Sequence, residues 1–181
     1  MFSFNRYYSL LSLNIIGSLN KYNELKQQTL EVTMNTSFLK KLITTNAGFA
    51  ALALRIPAAI IFIAHGAQKL FGSFGGYGLE GTGQWMASIG LEPGYQLALL
   101  AGSAEFFGGI ALLIGLLVRP AALMLSITML VAMFSVHFTN GLFMTSNGYE
   151  FALTLLAMSV SLMFSGAGKV ALDNELKQRL G

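Results

Sequence analysis

Six ionisable side chains stand in or at the ends of stretches that are otherwise apolar: Arg55, His65, Lys69, Glu105, His137 and Glu150. An ionisable group at membrane depth costs about 2.5–3.5 kcal/mol on insertion scales, so each one requires a partner or a purpose. Along the first apolar run His65 and Lys69 fall within ~40° of each other on a helix, with Arg55 about 80° from His65, so the three share a face. Glu105 lies in the middle of the second run, with Ala101, Gly102, Gly108 and Gly109 three and four residues away on either side. Small residues let helices approach closely. That stripe is therefore a packing seam, and Glu105 points into the bundle toward the first helix, opposite Arg55 or His65. His137, at the end of the third run, and Glu150, at the start of the fourth, reach the level at which His65 and Lys69 emerge, so these four are expected to converge. The chemistry of such a group is a polar pocket opening outward, with histidines that exchange protons near neutral pH. Each member also has a plainer reading. A buried Glu105 pair is a structural lock, Glu150 is an acid at a helix N-terminus favoured by the dipole, and the histidines satisfy backbone carbonyls.

Several other chemistries lack their residues. Cysteine is absent, which removes disulfides, thiol relays, CxxC metal sites and iron–sulfur clusters. Any redox chemistry must therefore be borrowed from a ligand or a partner. Two histidines without further signature do not make a haem site, and His65, His137, Glu105 and Glu150 would ligate a metal only if packing gathered them, so no metal is assigned. The glycines from Gly72 to Gly83 are not followed by Gly-Lys-Ser/Thr and form no phosphate-binding loop. The net charge of +3 and pI near 9.3 arise from single positive residues, most at the ends of apolar runs. They read as membrane orientation, with no nucleic-acid partner.

The elements that must hold these residues are set by lipid. Of 181 residues, 54% are hydrophobic and only 10% charged, with a mean hydropathy of +0.62; a soluble domain carries about 25% charged residues. The pattern predicts an all-α integral membrane four-helix bundle. The predicted spans are Gly48 to Phe71, Tyr95 to Val118, Ala121 to Phe138 and a shorter Tyr149 to Ser165. Pro93 and Pro120 suit first helical positions. The first outer loop, Gly72 to Glu92, is too polar to span; it is expected to carry a short interfacial helix capped by Thr82 and bearing Trp85, Met86 and Ile89. Residues 1–40 form a polar extension expected to lack order, 41–168 the membrane domain and 169–181 an aqueous tail. The codons for Leu30-Glu31-Val32 can spell a ribosome-binding site, which makes Met34 a candidate translation start. Lys40, Lys41, Arg119, Lys169, Lys177 and Arg179 all fall on one side of a four-span chain, and the positive-inside rule then puts both termini in the cytoplasm.

Four motifs occur in a fixed order: the run LRIPAAIIFIAHGAQKLFG with Arg55 and His65-Gly66-x-x-Lys69-Leu70; the glycine-rich connection GGYGLEGTGQWMASIGLEPG; AEFFGGIALLIGLLVRPAAL with Glu105-x-x-Gly108-Gly109 and the Arg119 turn; and NGYEFALTLLAMSVSLMFSGAGKVALD. In these features, from about Leu42 to Leu180, the chain resembles the DoxX family of small four-helix membrane proteins. One departure is Ala171, where serine is common in the family. Some relatives in that family are associated with quinone-linked oxidation of sulfur compounds or with redox defence, and many are called oxidoreductases without a demonstrated reaction. The resemblance points to a subunit or small-molecule-binding module of a quinone- or redox-linked system in a bacterial inner (plasma) membrane. The candidate cofactor is a quinone, and the candidate partners are redox-enzyme subunits or a second copy of the chain. A proton-coupled or small-molecule transporter using the same Glu105 and histidines, and a scaffold assembling partner enzymes, are the other two readings.

Overall fold

The computed structural model describes residues 21–28, 33, 36–45 and 47–180, and the chain divides into two compact units, Met1–Lys41 and Leu42–Gly181. In the first unit residues 21–28 are helical and exposed, and the Thr36 hydroxyl donates to the Thr33 carbonyl at 3.0 Å. Of residues 1–40, expected to lack order, 1–20, 29–32 and 34–35 lie outside the described residues, and with them the candidate start at Met34.

The second unit is all-helical, with no strand among the described residues. Helix α1 is Phe49–Phe71; it ends at Gly72, whose left-handed backbone (φ 70°) turns its N–H back to the Ala67 and Gln68 carbonyls, the ending glycine favours. Helix α2, Gly78–Ser88, follows after a tight reversal. Thr82, expected to cap it, is instead buried inside it, because the helix begins four residues earlier with Glu80 in its first turn, where an acid suits the dipole. Tyr77 and Trp85 are exposed beside it, in keeping with an interfacial element. Helix α3, Gly94–Ile114, starts directly after Pro93 and closes on the left-handed Gly115. Helix α4, Val118–Ala132, runs on through a π turn, Met133–His137, and a 3-10 turn, Phe138–Asn140. Pro120 is its third residue rather than its first, still within the turn whose N–H groups have no helical acceptor. Helix α5 is Glu150–Ser165 and helix α6 is Leu172–Arg179.

Three of these segments, Phe49–Phe71, Gly94–Ile114 and Val118–Asn140, are long and apolar enough to cross a membrane. Helix α5 is apolar but has 16 residues, about 24 Å of helix at 1.5 Å per residue. Helix α1 packs on α3, α4 on α5, and α3 on α4, around a core of Ala58, Ala59, Phe62, Leu112, Val118, Leu125 and Leu162. On α3 the buried positions Ala98, Gly102, Glu105, Gly109 and Leu112 recur at alternating steps of four and three, the spacing of a helix–helix seam. A Cβ on Gly109 would lie 2.8 Å from the Ile63 nitrogen, one on Gly102 2.8 Å from Leu70, and one on Gly66 would collide with the Phe106 backbone. Those contacts fix the register of α1 against α3. Gly108 instead meets Leu125 of α4, while Ala101 is half-buried. The predicted seam thus serves two neighbours. Leu100, Phe107, Met124 and Ile127 are exposed, as residues facing hydrocarbon are.

The end of the chain, where the expected membrane domain meets the expected aqueous tail, folds back on the bundle. Gly166, Ala167, Gly168 and Asp173 are buried, and the segment folds back against the ends of α1, α3 and α4 through hydrogen bonds from Lys169 N to Gly48 O (3.2 Å) and Asp173 N to Gly115 O (2.9 Å). The segment makes most of its ties through backbone groups, which hydropathy does not register.

Candidate functional site

Glu105 is buried, and its partner is Lys69: Nζ lies 2.6 Å from Oε2, with side-chain exposures of 24% and 4%. Neither Arg55 nor His65, the partners expected from angular position, makes this contact. For Arg55 the reason is axial level. Gly102 sits against Leu70 and Gly109 against Ile63, so Glu105, between them, stands opposite the last turns of α1. Arg55 is fourteen residues before Lys69, about 21 Å away along the axis. Charges so placed differ in role. The Lys69 ammonium has three donors, one of them held by Glu105, and its side chain is partly open. It can offer a hydrogen bond to an incoming carbonyl or anion, while the carboxylate can accept from a hydroxyl. The Phe106 ring, adjacent to Glu105, packs edge-on against Phe71 at 5.2 Å.

His65 lies one turn before Lys69, half-buried, with its ring 5.8 Å from that of Phe151. Phe151 is a residue sequence reasoning missed; its only signal was its place next to Glu150. His137 closes the π turn of α4 and pairs through Nδ1 with the Asn147 carbonyl at 2.9 Å, which also accepts from Asn140 Nδ2 at 3.3 Å. Glu150 Oε1 accepts from the Met144 N–H at 2.6 Å. His137 and Glu150 thus fasten the connection between α4 and α5 to itself, and α5 reaches His65 through Phe151. Among the described residues, no group of three or more His, Asp or Glu is arranged to hold a metal.

Arg55 belongs to the other end. It is 1% exposed, and its guanidinium donates from Nη1 to Ala167 O at 2.6 Å and from Nη2 to Val170 O at 2.7 Å. Asp173 closes the same node: Oδ1 accepts from Leu117 N–H at 2.7 Å and Oδ2 from Val118 N–H at 3.2 Å. It thereby caps α4 from a distant part of the chain, supplying acceptors that the apolar Leu117 cannot. Arg119 Nε donates to Thr44 O at 3.0 Å nearby.

Asp173 lies outside the spanning helices, and burial pushes its carboxyl above the ordinary carboxylate value, while the Leu117 and Val118 N–H groups and the Arg55 charge pull it part of the way back. The folded state therefore holds this proton at a pH where the unfolded chain has released it. The stability contribution of the group is complete below the unfolded value and is lost as pH rises through the raised one. Subtracting the pH–stability curve of Asp173→Asn from that of the wild type, in detergent, is expected to leave a component that falls with rising pH. A component that rises instead would mean that the hydrogen bonds outweigh burial.

The fold and these two polar nodes define a small helical multi-pass membrane protein with a buried ion pair on one helix seam and a capped chain end. The chain belongs to the DoxX family, whose model matches residues 50–138, the segment from the first turn of α1 to the residue after the π turn. Among curated relatives it is similar to an uncharacterized protein of Haemophilus influenzae, 37% identical over 129 residues covering 67% of this chain and 87% of that one. It is similar to "Putative oxidoreductase CatD" of Bacillus subtilis, 34% identical with 67% and 83% covered, and to the inner membrane protein YqjF of Escherichia coli, 33% identical with 71% and 92% covered. No solved structure matches the chain.

Proposed function

We propose that this protein is a four-span inner-membrane component of a quinone- or redox-linked system, acting as a subunit or small-molecule-binding module, in which Lys69 and Glu105, with His65 beside them, form the polar floor of an outward-facing pocket. The observation that carries this is the Lys69–Glu105 pair, 2.6 Å apart with one partner buried and the other a quarter exposed. An ammonium next to a carboxylate matches both redox states of a quinone: Lys69 donates to the carbonyl of the oxidised form, and Glu105 accepts from the hydroxyl of the reduced form. Without cysteine in the chain, electrons must come from a partner subunit or a bound cofactor. The name of the Bacillus subtilis relative lends support to a redox setting, and that of the Escherichia coli relative to an inner-membrane one.

The topology rests on charge. With α5 counted as the fourth span, Lys40, Lys41, Arg119, Lys169, Lys177 and Arg179 fall on one side, which the positive-inside rule assigns to the cytoplasm. Both termini are then inside, and the Lys69–Glu105 pair lies toward the outer leaflet.

Glu105→Gln tests the proposal, because it keeps the shape and removes the charge. In a correctly inserted protein it is expected to weaken binding of a short-chain ubiquinone analogue by tenfold or more, about the 1.4 kcal/mol or more that one charge-assisted hydrogen bond contributes, and to reproduce the redox phenotype of a deletion strain. Unchanged binding together with an unchanged phenotype would refute it. Flux across reconstituted vesicles without any electron acceptor would favour the transporter reading instead.

A further inference from the structure

Residues 166–173 belong to no spanning helix, yet they fill the Arg55 end of the bundle. Their ties reach several elements. Thr45 Oγ1 donates to Ser165 O at 2.9 Å and accepts from Gly168 N–H at 2.8 Å, Gly48 O accepts from Lys169 N–H, Arg55 of α1 holds the carbonyls of Ala167 and Val170, and Asp173 takes the first N–H groups of α4. The fit is close: a Cβ on Gly115 would lie 2.6 Å from Ala171 Cβ, and one on Gly168 2.7 Å from Ala51 Cβ.

Two features set this segment apart from ordinary packing. Almost every tie is polar, and the apolar side chains it buries are small, chiefly Ala167. Releasing it would uncover little hydrocarbon, and groups near a membrane surface can exchange their partners for water. The segment is also held against its own backbone preference. Gly166 and Gly168 sit at φ 77° and 73°, and Val170, β-branched, sits at φ 56°, a conformation costly for such a residue. The Val170 side chain is 71% exposed and gains little from packing in return. The hydrogen bonds impose the conformation, and the strain favours leaving it.

We infer that residues 166–173 form a detachable plug that closes the Arg55 end of the bundle, so that the buried positions of α1 next to Arg55 are reached from that end only when the plug is released. This holds whatever ligand the Lys69–Glu105 pair binds. The cysteine-free chain permits a direct test. Ala58 is fully buried, one turn beyond Arg55 on α1. In the full-length protein, reconstituted in vesicles with the Arg55 end exposed, Ala58→Cys is expected to react slowly with a membrane-impermeant maleimide. Adding Asp173→Asn, which weakens a tie, is expected to speed labelling about tenfold. Adding Val170→Gly, which relieves the strain, is expected to slow it several-fold. The second variant guards against loss of folding in the first, since a defect in folding cannot slow labelling. Labelling that Val170→Gly leaves unchanged or accelerates would overturn the inference, as would labelling of Ala58→Cys no faster than that of Leu125→Cys, a position buried deep in the core.

Discussion

Arg55→Leu is expected to destabilise the folded bundle by about 3–5 kcal/mol, the range for breaking a buried charge interaction from one side. Leucine fills part of the volume but donates no hydrogen bond, so the carbonyls of Ala167 and Val170 lose their donors. Asp173 loses the nearby positive charge that favours its ionised form. Arg55→Lys should recover only part of the loss, because a single ammonium does not reproduce the fork that reaches two carbonyls at once. Unfolding in mild detergent titrated with a denaturing one, followed by circular dichroism, reads the difference. A loss under about 1 kcal/mol would mean that water replaces the guanidinium at little cost.

Lys69→Met is expected to have a similar effect, about 3–5 kcal/mol, for a different reason. It preserves the helix and most of the side-chain volume but leaves Glu105 as an uncompensated charge in the seam between α1 and α3, 4% exposed. The double variant Lys69→Met with Glu105→Gln should regain most of that stability, since neutral groups of similar shape can replace a buried pair at little net cost. The same unfolding measurement on the two variants and on Glu105→Gln alone closes a double-mutant cycle and isolates the coupling between the two side chains. A coupling near zero would contradict the 2.6 Å contact.

How much of this was legible in the sequence depended on which atoms carried the interaction. Helices α1, α3, α4 and α5 are apolar runs punctuated by Gly72, Pro93, Gly115 and Gly166, and their limits differ from the expected ones by a few residues. The seam was legible too, because Gly102 and Gly109 stand three and four residues from Glu105. The identity of the partner of Glu105 was not. Helical angle alone leaves Arg55, His65 and Lys69 all available, and Arg55 is removed by the axial register that Gly66 and Gly109 set against Phe106 and Ile63. The node at the Arg55 end was hidden for another reason. Arg55 binds main-chain carbonyls and Asp173 binds main-chain N–H groups, and every residue type supplies those. The only visible sign was a motif, Gly166-x-Gly168-Lys169 through Asp173, whose glycines adopt the left-handed backbone the fold-back requires. His137 and Glu150 were found by type, but their hydrogen-bond partners, Asn147 and Met144, are again backbone atoms.

A lock and a ligand site make the same contact, so the contact alone does not separate them; a variant that restores one and not the other does. The decisive measurement is ubiquinone-analogue binding by the Lys69→Met, Glu105→Gln double variant, at wild-type membrane levels and after its stability has been measured. The proposal that this pair is the polar floor of a binding pocket predicts a protein that is folded and inserted but binds the analogue at least tenfold more weakly than wild type. Wild-type affinity in that stable, charge-free variant would contradict it and leave the pair a structural lock.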